Sequence, residues 1–508
     1  MTAASRFLRA RLPELLFLAF ATVVLSWHLG EGSLPGSDDA IYAQAAREAL
    51  QDGRWLDVTW QGRPLFEKGP VLFWMLQASQ AVLGPTDLAV RVPGVVAGVA
   101  VLALLMALAR ALGASRGAAI TGAGLALATN LLVFNARRPM TDVPGLALGL
   151  AGFLCVLASL RDRPTGALPA NRPGAGRGCA IAGGVLLGLS ALVKVVAPVP
   201  FVLALLVLQA DRAFQRPGRL ALALGVAAAV ALPWHVAMVA MHGTAFLDTF
   251  VGYHLLRRAS AAVVGDGPGI YAAWFAEREG GTSILLLAAL LAAIVPAVRG
   301  NRAARAAWAL LACAGLPLLA SRTALPHYLV PLLAGLGLAG AAAGDVAASR
   351  MPSRWRPVAG GALGLALLAL LLGGSARDLE SPDYGPGTKA ACEELRAAGE
   401  ANRLAATVDL HDPAVAWYCD RPVEFLGLDP GFLAATAGIP MLQGVVAPLD
   451  AARLRDLASR NVLVMTVPVR LDALDEAAAR AGVVLSSRRD YPGRVLVAVG
   501  SPAARTGM

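Results

Sequence analysis

Residues 36–70 read GSDDAIYAQAAREALQDGRWLDVTWQGRPLFEKGP, and what flanks this polar stretch decides the fold. Upstream lies an apolar run at 13–29. Downstream come a short apolar run at 70–84 and a longer one at 93–112. With two adjacent carboxylates at its start (Asp38, Asp39) and a Glu67-Lys68 pair near its end, the stretch reads as a loop outside a bilayer. Further apolar blocks fall at 117–134, 143–160, 178–193, 196–210, 219–239, 282–298, 306–320, 325–345 and 356–374. Their lengths of about 15–22 residues are those a helix needs to cross hydrocarbon. The expected fold is a polytopic α-helical membrane protein with about 11–13 transmembrane helices. The first block follows Arg6, Arg9 and Arg11 as in a signal peptide, but no small-x-small cleavage site clearly follows it, so an uncleaved helix is expected. The 70–84 run is short and reads as an interfacial or re-entrant helix.

Composition agrees. The chain of 508 residues is 57% hydrophobic and 15% charged, with a mean hydropathy of +0.61, whereas soluble domains carry about 25% charged residues. Ala, Gly and Leu fill the apolar blocks, and small residues let membrane helices approach closely. The net charge of +10 does not indicate nucleic acid, because the arginines sit at the ends of the apolar blocks. Clusters at Arg6/Arg9/Arg11, Arg110/Arg116, Arg161 to Arg177, Arg212/Arg216/Arg219, Arg299/Arg302/Arg305 and Arg350/Arg354/Arg356 occupy alternate connections. With an odd number of spans all six fall on one side, the cytoplasmic side by the positive-inside rule. Loops 30–92, 135–142, 240–281 and 321–324, and the tail from Ser375, then fall outside.

The tail changes character. Runs rich in β-formers (LAATVDL, NVLVMTVPVR, RVLVAVG) alternate with Ala-rich helical runs at 389–400, 450–460 and 471–482. The expected organisation is a membrane domain over 1–374, its first outer loop at 30–92, and an extracytoplasmic α/β domain over 375–508. Of the five cysteines, Cys155, Cys179 and Cys313 lie in or beside apolar blocks, while Cys392 and Cys419 could pair in an oxidising compartment. Neither a CxxC, a Gly-rich phosphate loop nor an internal repeat is present.

The outer loops hold the chemically suggestive residues. Ser37 suits an N-cap, and Asp38 and Asp39 suit the first turn of the following helix. The competing reading makes one of them a general base at the membrane surface. Glu67 and Lys68 read either as an interfacial ion pair anchoring the next helix or as a phosphate contact with an orienting carboxylate. In FNARRPMTDVPG, Arg137 and Arg138 stand against the orientation bias, and Asp142 opens an apolar span where a carboxylate is costly. Lys194 lies between two apolar blocks and needs a counter-charge, which a lipid phosphate would supply, or it only marks the turn. His254 and Arg258 share a helical face, with Arg257 adjacent, as an anion site requires. Arg322, His327 and Tyr328 mark another outer boundary, Tyr328 being equally suited to an interfacial aromatic belt.

Taken in order, SDDAIYAQAARE…FEKGP, ARRPMTDVPG, PW…YHLLRR and SRTALPHYLVPL resemble the GT-C glycosyltransferases related to protein O-mannosyltransferase, and within them the lipid A aminoarabinose transferase branch. The resemblance runs over about 13–345 and covers the tail only loosely. It implies a multi-pass enzyme of the bacterial inner (plasma) membrane, with its C-terminal domain in the periplasm. Such an enzyme moves a sugar from a polyprenyl-phosphate donor to a lipid, glycan or protein acceptor. It implies catalytic carboxylates at Asp38, Asp39 and Asp142, with Asp38 leading. Donor-phosphate contacts would come from Lys68, Lys194, Arg258 and Tyr328, to which the residue reading adds Arg137, Arg138 and Arg257. Glu67 and His254 match positions that can hold a divalent metal, in a structural role; no other cofactor is implied. The sequence departs from the family where Leu65 replaces a Tyr and Gly69 a Pro. A transporter or flippase for a lipid-linked sugar is the alternative, and it predicts repeated halves and mid-membrane charge pairs.

Overall fold

The computed structural model describes residues 3–160, 175–211, 214–261, 269–380, 383–437 and 439–500. Most of the arginine run from Arg161, as well as Arg212 and the side chains of Arg6 and Arg9, lie outside what is described. The chain divides into two compact units: 1–30 with 67–381, and 31–66 with 382–508. Of the loop expected at 30–92, residues 31–66 therefore fold with the tail and the remainder with the membrane unit.

The membrane unit is helical. Its elements begin with α1 (Ala3–Ser26) and, after the 31–66 excursion that contains α2 (Asp38–Gln51), continue with α3 (Pro70–Leu83), α4 (Asp87–Ala111), α5 (Arg116–Leu127) and α6 (Asn130–Ala136). Then come α7 (Asp142–Ser159), α8 (Ala175–Val193), α9 (Val199–Leu208) and α10 (Pro217–His242). The last four are α11 (Gly281–Val298), α12 (Arg302–Ala320), α13 (Leu332–Arg350) and α14 (Arg356–Glu380). The expected apolar blocks fall on these helices, except that 117–134 is divided between α5 and α6 and 325–345 begins ahead of α13. Among the described residues, 8 helices are long and apolar enough to cross a membrane, or up to 9 with the bent pair α5–α6. The block at 196–210 is shorter than expected: α9 has 10 residues, which rise only about 15 Å against about 30 Å of hydrocarbon. The 70–84 run is a helix of 14 residues, α3, as its length suggested.

Packing within this unit depends on residues without bulk. A β-carbon on Gly152 of α7 would stand 3.0 Å from the Gly183 carbonyl, and one on Gly183 of α8 would stand 2.9 Å from the Gly152 carbonyl. The two backbones touch there, as small residues allow in a medium where the hydrophobic effect does not drive helix pairing.

The second unit is α/β. Apart from a short antiparallel ladder pairing Thr59–Trp60 with Arg63–Pro64, it has one sheet of six strands: β1 (Leu404–Val408), β2 (Glu424–Gly427), β3 (Val446–Pro448), β4 (Val462–Thr466), β5 (Val484–Tyr491) and β6 (Arg494–Gly500). They lie in the order β3-β2-β1-β4-β6-β5. The first four are mutually parallel, and β6 pairs antiparallel with both β4 and β5. Buried runs such as Val462–Thr466 explain the central strands, since a strand covered on both faces needs apolar residues throughout. The tail helices Pro386–Ala397, Ala451–Ser459 and Leu471–Ala481 fall where the Ala-rich runs placed them. Cys392 and Cys419 form a disulfide.

Candidate active site

In the membrane unit the site begins with the α7–α8 contact. Asp142 is the first residue of α7, and Lys194 follows the last residue of α8. The two helices pack along their length, and Ser190 donates to the Gly145 carbonyl at 2.9 Å. Lys194 Nζ consequently reaches Asp142 Oδ1 at 2.7 Å, both side chains largely buried. The α7 N-terminus also favours a carboxylate there. The chain itself thus supplies Lys194 with a counter-charge. Lys194 Nζ also lies 4.8 Å from the Tyr328 ring centroid, in cation–π geometry.

Lys68 is placed by its neighbour. A β-carbon on Gly69 would collide with the Leu192 carbonyl at the end of α8, so the departure from Pro to Gly lets the 67–70 turn press against that helix end. Lys68 Nζ lies 3.8 Å from Glu67 Oε2, and His254 Nε2 lies 3.5 Å from Glu67 Oε1. His254 belongs to a ten-residue π-helical segment, Asp248–Arg257, and such segments are rare and often functional. Burial, then the charges of Lys68 and Arg258, push the His254 imidazole down to about 2. It is neutral at working pH, and its contact with Glu67 is not an ion pair.

Neutral His254 and Glu67 are plausible metal donors by type. A closed structural site usually takes four ligands, and no group of three His, Cys, Asp or Glu side chains that could hold a metal occurs among the described residues. Glu67 and His254 alone fall short of that ligand set.

Glu67, Lys68, Asp142, Lys194, His254, Arg258 and Tyr328 line a single cavity of about 300 Å³. Apart from Ser321, the rest of its wall is apolar, with Phe201, Phe250, Leu255, Pro317 and Leu318 among the contributors. Three cations face two carboxylates, so the polar end is net positive. Such a cavity suits an amphiphile with an anionic head and a hydrocarbon body. Sequence reasoning missed the apolar lining, because one Phe or Leu in a membrane helix looks like any other. It had found the charged members of this cavity together with His254 and Tyr328, but not Ser321.

Three expected phosphate contacts are not among its lining residues. Arg137 is buried and donates to the Leu25 carbonyl at 2.9 Å, tying the end of α1. Arg138 lies over the Phe134 ring, 4.6 Å from its centroid. Arg257 sits 5.8 Å from the Tyr253 ring centroid, while its neighbour Arg258 reaches the cavity. Adjacent residues on a helix point in different directions, so only one of the two can serve.

The other carboxylates lie in the second unit. Ser37 occupies the N-cap position of α2 but makes no side-chain cap bond; its hydroxyl donates to Asp39 Oδ2 at 3.2 Å. Asp39 is fully buried. Asp38 is half-buried and accepts from the Tyr42 hydroxyl at 3.1 Å. Of the adjacent pair, Asp38 is the one that solvent and a substrate can reach. The turn before α2 is fixed by the tail: Leu34 N–H donates to the Tyr418 hydroxyl at 2.6 Å, and Gly36 abuts the Asp412 carboxylate so closely that a β-carbon would collide with it. Arg47 of α2 donates to the Ala416 and Trp417 carbonyls at 3.2 and 3.0 Å and pairs with Asp420 at 3.2 Å. Sequence reasoning did not single out these tail residues; the only local cue was the Asp-Pro turn after LAATVDL.

Residues 67–236 match the family model described as dolichyl-phosphate-mannose-protein mannosyltransferase. No curated protein matches the chain. Among solved structures, ArnT from Cupriavidus metallidurans bound to undecaprenyl phosphate is 19% identical, with 96% of this chain and 98% of that one covered and a TM-score of 0.74. Its apo form gives 19% identity, 98% coverage of each chain and a TM-score of 0.75. The archaeal oligosaccharyltransferase AglB from Archaeoglobus fulgidus, in complex with an inhibitory peptide and a dolichol-phosphate, is 12% identical, with 90% of this chain and 69% of that one covered and a TM-score of 0.56. The chain has the fold of ArnT over nearly its whole length, with 8 helices, or up to 9, among the described residues long and apolar enough to cross a membrane, and it matches the mannosyltransferase family model over residues 67–236.

Proposed function

We propose that this chain is an integral-membrane glycosyltransferase. It takes a sugar from a polyprenyl-phosphate carrier and passes it to a lipid A-like glycolipid, a glycan or a protein at the outer face of a bacterial inner membrane. The observation that carries this reading is the cavity whose polar end holds Lys68, Lys194 and Arg258 and whose remaining wall is apolar. The bound undecaprenyl phosphate of the ArnT structure and the dolichol-phosphate of AglB support the same class of ligand.

In this reading the carrier phosphate meets the three cations while its isoprenoid chain lies along the apolar wall. An acceptor oxygen attacks the anomeric carbon. The bond from that carbon to the phosphate oxygen breaks, and the electron pair leaves with the phosphate. The cations stabilise the charge that develops there, an effect strengthened in a water-poor site. Asp38 takes the proton from the acceptor hydroxyl. Attack opposite the leaving group inverts the anomeric centre. Neutral His254 adds no charge of its own to the cation cluster. The Cys392–Cys419 disulfide supports placing the tail in an oxidising compartment.

Binding of undecaprenyl phosphate to the purified chain tests the carrier assignment. Native mass spectrometry should show one carrier retained by the wild type and at least about tenfold weaker retention by Lys68→Ala or Arg258→Ala, about 1.4 kcal/mol each. Equal retention by all three would remove the phosphate from the cavity.

A further inference from the structure

The segment that carries Arg258 into the cavity is tied down at its far end. After the π-helical stretch Asp248–Arg257, residues Arg258–Ser260 make one last helical turn, and Ala261 leaves it with an extended backbone. A helix that stops there leaves its last carbonyls without partners inside the helix. Here the carbonyls of Arg258, Ala259 and Ala261 face the residues that follow α12. The Ser321 hydroxyl lies 3.4 Å from the Arg258 carbonyl, and the Arg322 N–H lies 3.5 Å from that of Ala259. Both distances are long for hydrogen bonds, and Ser321 has a better acceptor in the Thr323 carbonyl, at 2.9 Å. The Thr323 hydroxyl donates to the Ala261 carbonyl at 2.7 Å, a full-strength bond. Thr323 is fully buried, whereas Arg322 is exposed. The contact between the two stretches therefore closes on the bond that Thr323 makes.

This bond joins two walls of the cavity. Arg258 stands just before Ala261, and Tyr328, in the 3-10 turn Pro326–Leu329, stands just after Thr323. Both line the cavity, and so does Ser321. The Arg258 guanidinium lies 5.4 Å from the ring centroid of Tyr253, on its own segment, so it moves with that segment's backbone. We propose that Thr323 is a positioning residue for Arg258: by holding the Ala261 carbonyl it fixes where the guanidinium stands relative to Lys68 and Lys194. This rests on the glycosyltransferase reading, in which those three cations meet the carrier phosphate. A charge-assisted bond to phosphate depends on distance and angle. A displaced Arg258 therefore loses the phosphate, while the apolar wall given by Phe201, Pro317 and Leu318 stays in place on α9 and α12. The long side chain of Arg258 takes up part of any displacement, so the expected effect is modest.

The test is binding of undecaprenyl phosphate, and of undecaprenol, the same hydrocarbon without phosphate, to the full-length chain in detergent. Wild type, Thr323→Val, Thr323→Ser, Arg258→Ala and the double variant of Thr323→Val with Arg258→Ala are compared, with insertion and melting temperature verified. Valine keeps the shape and removes the donor; serine keeps the donor. Thr323→Val should bind the phosphate about fivefold more weakly, as for the loss of one hydrogen bond, and should bind undecaprenol as the wild type does. Thr323→Ser should bind the phosphate as the wild type does. In the Arg258→Ala background Thr323→Val should change nothing further, because residues that act through one contact do not add. Equal losses for phosphate and alcohol would reduce Thr323 to a structural residue and overturn the proposal. So would unchanged phosphate binding in Thr323→Val, a loss in Thr323→Ser, or a loss that persists without Arg258. A wild type that binds the phosphate no better than the alcohol would overturn the carrier reading, and this proposal with it, whatever the variants do.

Discussion

Asp142 and Lys194 are the residues whose roles cannot be separated. Their charges meet at 2.7 Å in a largely apolar cavity. Removing one partner leaves a buried charge alone, which typically costs about 3–5 kcal/mol. Asp142→Asn should therefore lower the melting temperature of the detergent-solubilised chain and abolish transfer. The double change Asp142→Leu with Lys194→Met should recover most of the stability but not the transfer, because packing replaces the pair while the Lys194 cation no longer faces the phosphate beside Lys68 and Arg258. Full stability in Asp142→Asn alone would show that the pair is not held as described. A second residue-scale prediction concerns pH. His411 titrates below its ordinary value of about 6.5, chiefly through burial. The unfolded chain therefore binds the proton more readily than the folded one. This contribution is fully present above about pH 6.5 and is lost as pH falls toward the folded value. Melting followed from pH 8 to 5 should fall less steeply in His411→Gln than in the wild type; parallel curves would contradict this.

At the scale of elements, the α7–α8 crossing sets the distance between Asp142 and Lys194. A side chain on Gly183 would begin with a β-carbon 2.6 Å from Val156 Cγ2. Gly183→Val should force the helices apart, costing about 1–3 kcal/mol by overpacking, and should lower transfer although the residue touches no ligand. Unchanged activity would mean that the site does not depend on that contact. Gly183→Ala, the smaller step, should fall between the two. Much of this level was legible in the sequence. Bilayer thickness forces apolar runs of fixed length, so the spans announced themselves, and the polar residues of the cavity stood out because a charge in such a run needs a reason. What was not legible depended on distant partners. The block 117–134 reads as one span but is broken between α5 and α6, which diverge by 68°. The Glu279 carboxylate accepts the Asn130 and Leu131 N–H groups at the start of α6 at 2.9 and 2.7 Å, and nothing near residue 130 signals that partner. The π-helical turn that leaves Arg257 out of the cavity was equally hidden. So was β5, whose sequence VLSSRRDY carries the weak apolar alternation of an exposed edge strand.

For the whole molecule, the unexpected feature is the company the first loop keeps. Residues 31–66 fold with the tail, so the turn that carries Asp38 depends on residues far later in the chain, as the Gly36–Asp412 contact illustrates. A reading by local pattern assigns a loop to its flanking helices and cannot see this. The proposed orientation makes a direct prediction. With the tail in an oxidising compartment, Cys392 and Cys419 should resist a maleimide in intact cells until a reductant is added, and should then label with a membrane-impermeant reagent. Labelling without reductant, or labelling only after the membrane is opened, would reverse the assigned topology. The disulfide joins positions 27 residues apart, and its loss should destabilise the second unit by about 3 kcal/mol.

The most direct measurement is sugar transfer in a reconstituted membrane. Purified chain is mixed with a polyprenyl phosphate carrying a radiolabelled sugar and with extracted cell-envelope acceptors, and wild type is compared with Asp38→Asn and Lys68→Ala at equal, verified insertion. The account predicts label leaving the carrier with wild type alone, appearing on an acceptor whose class the product identifies, with inverted anomeric configuration. Label that stays on the carrier but changes sides of the membrane with wild type would contradict it, and would make the protein a transporter of the lipid-linked sugar.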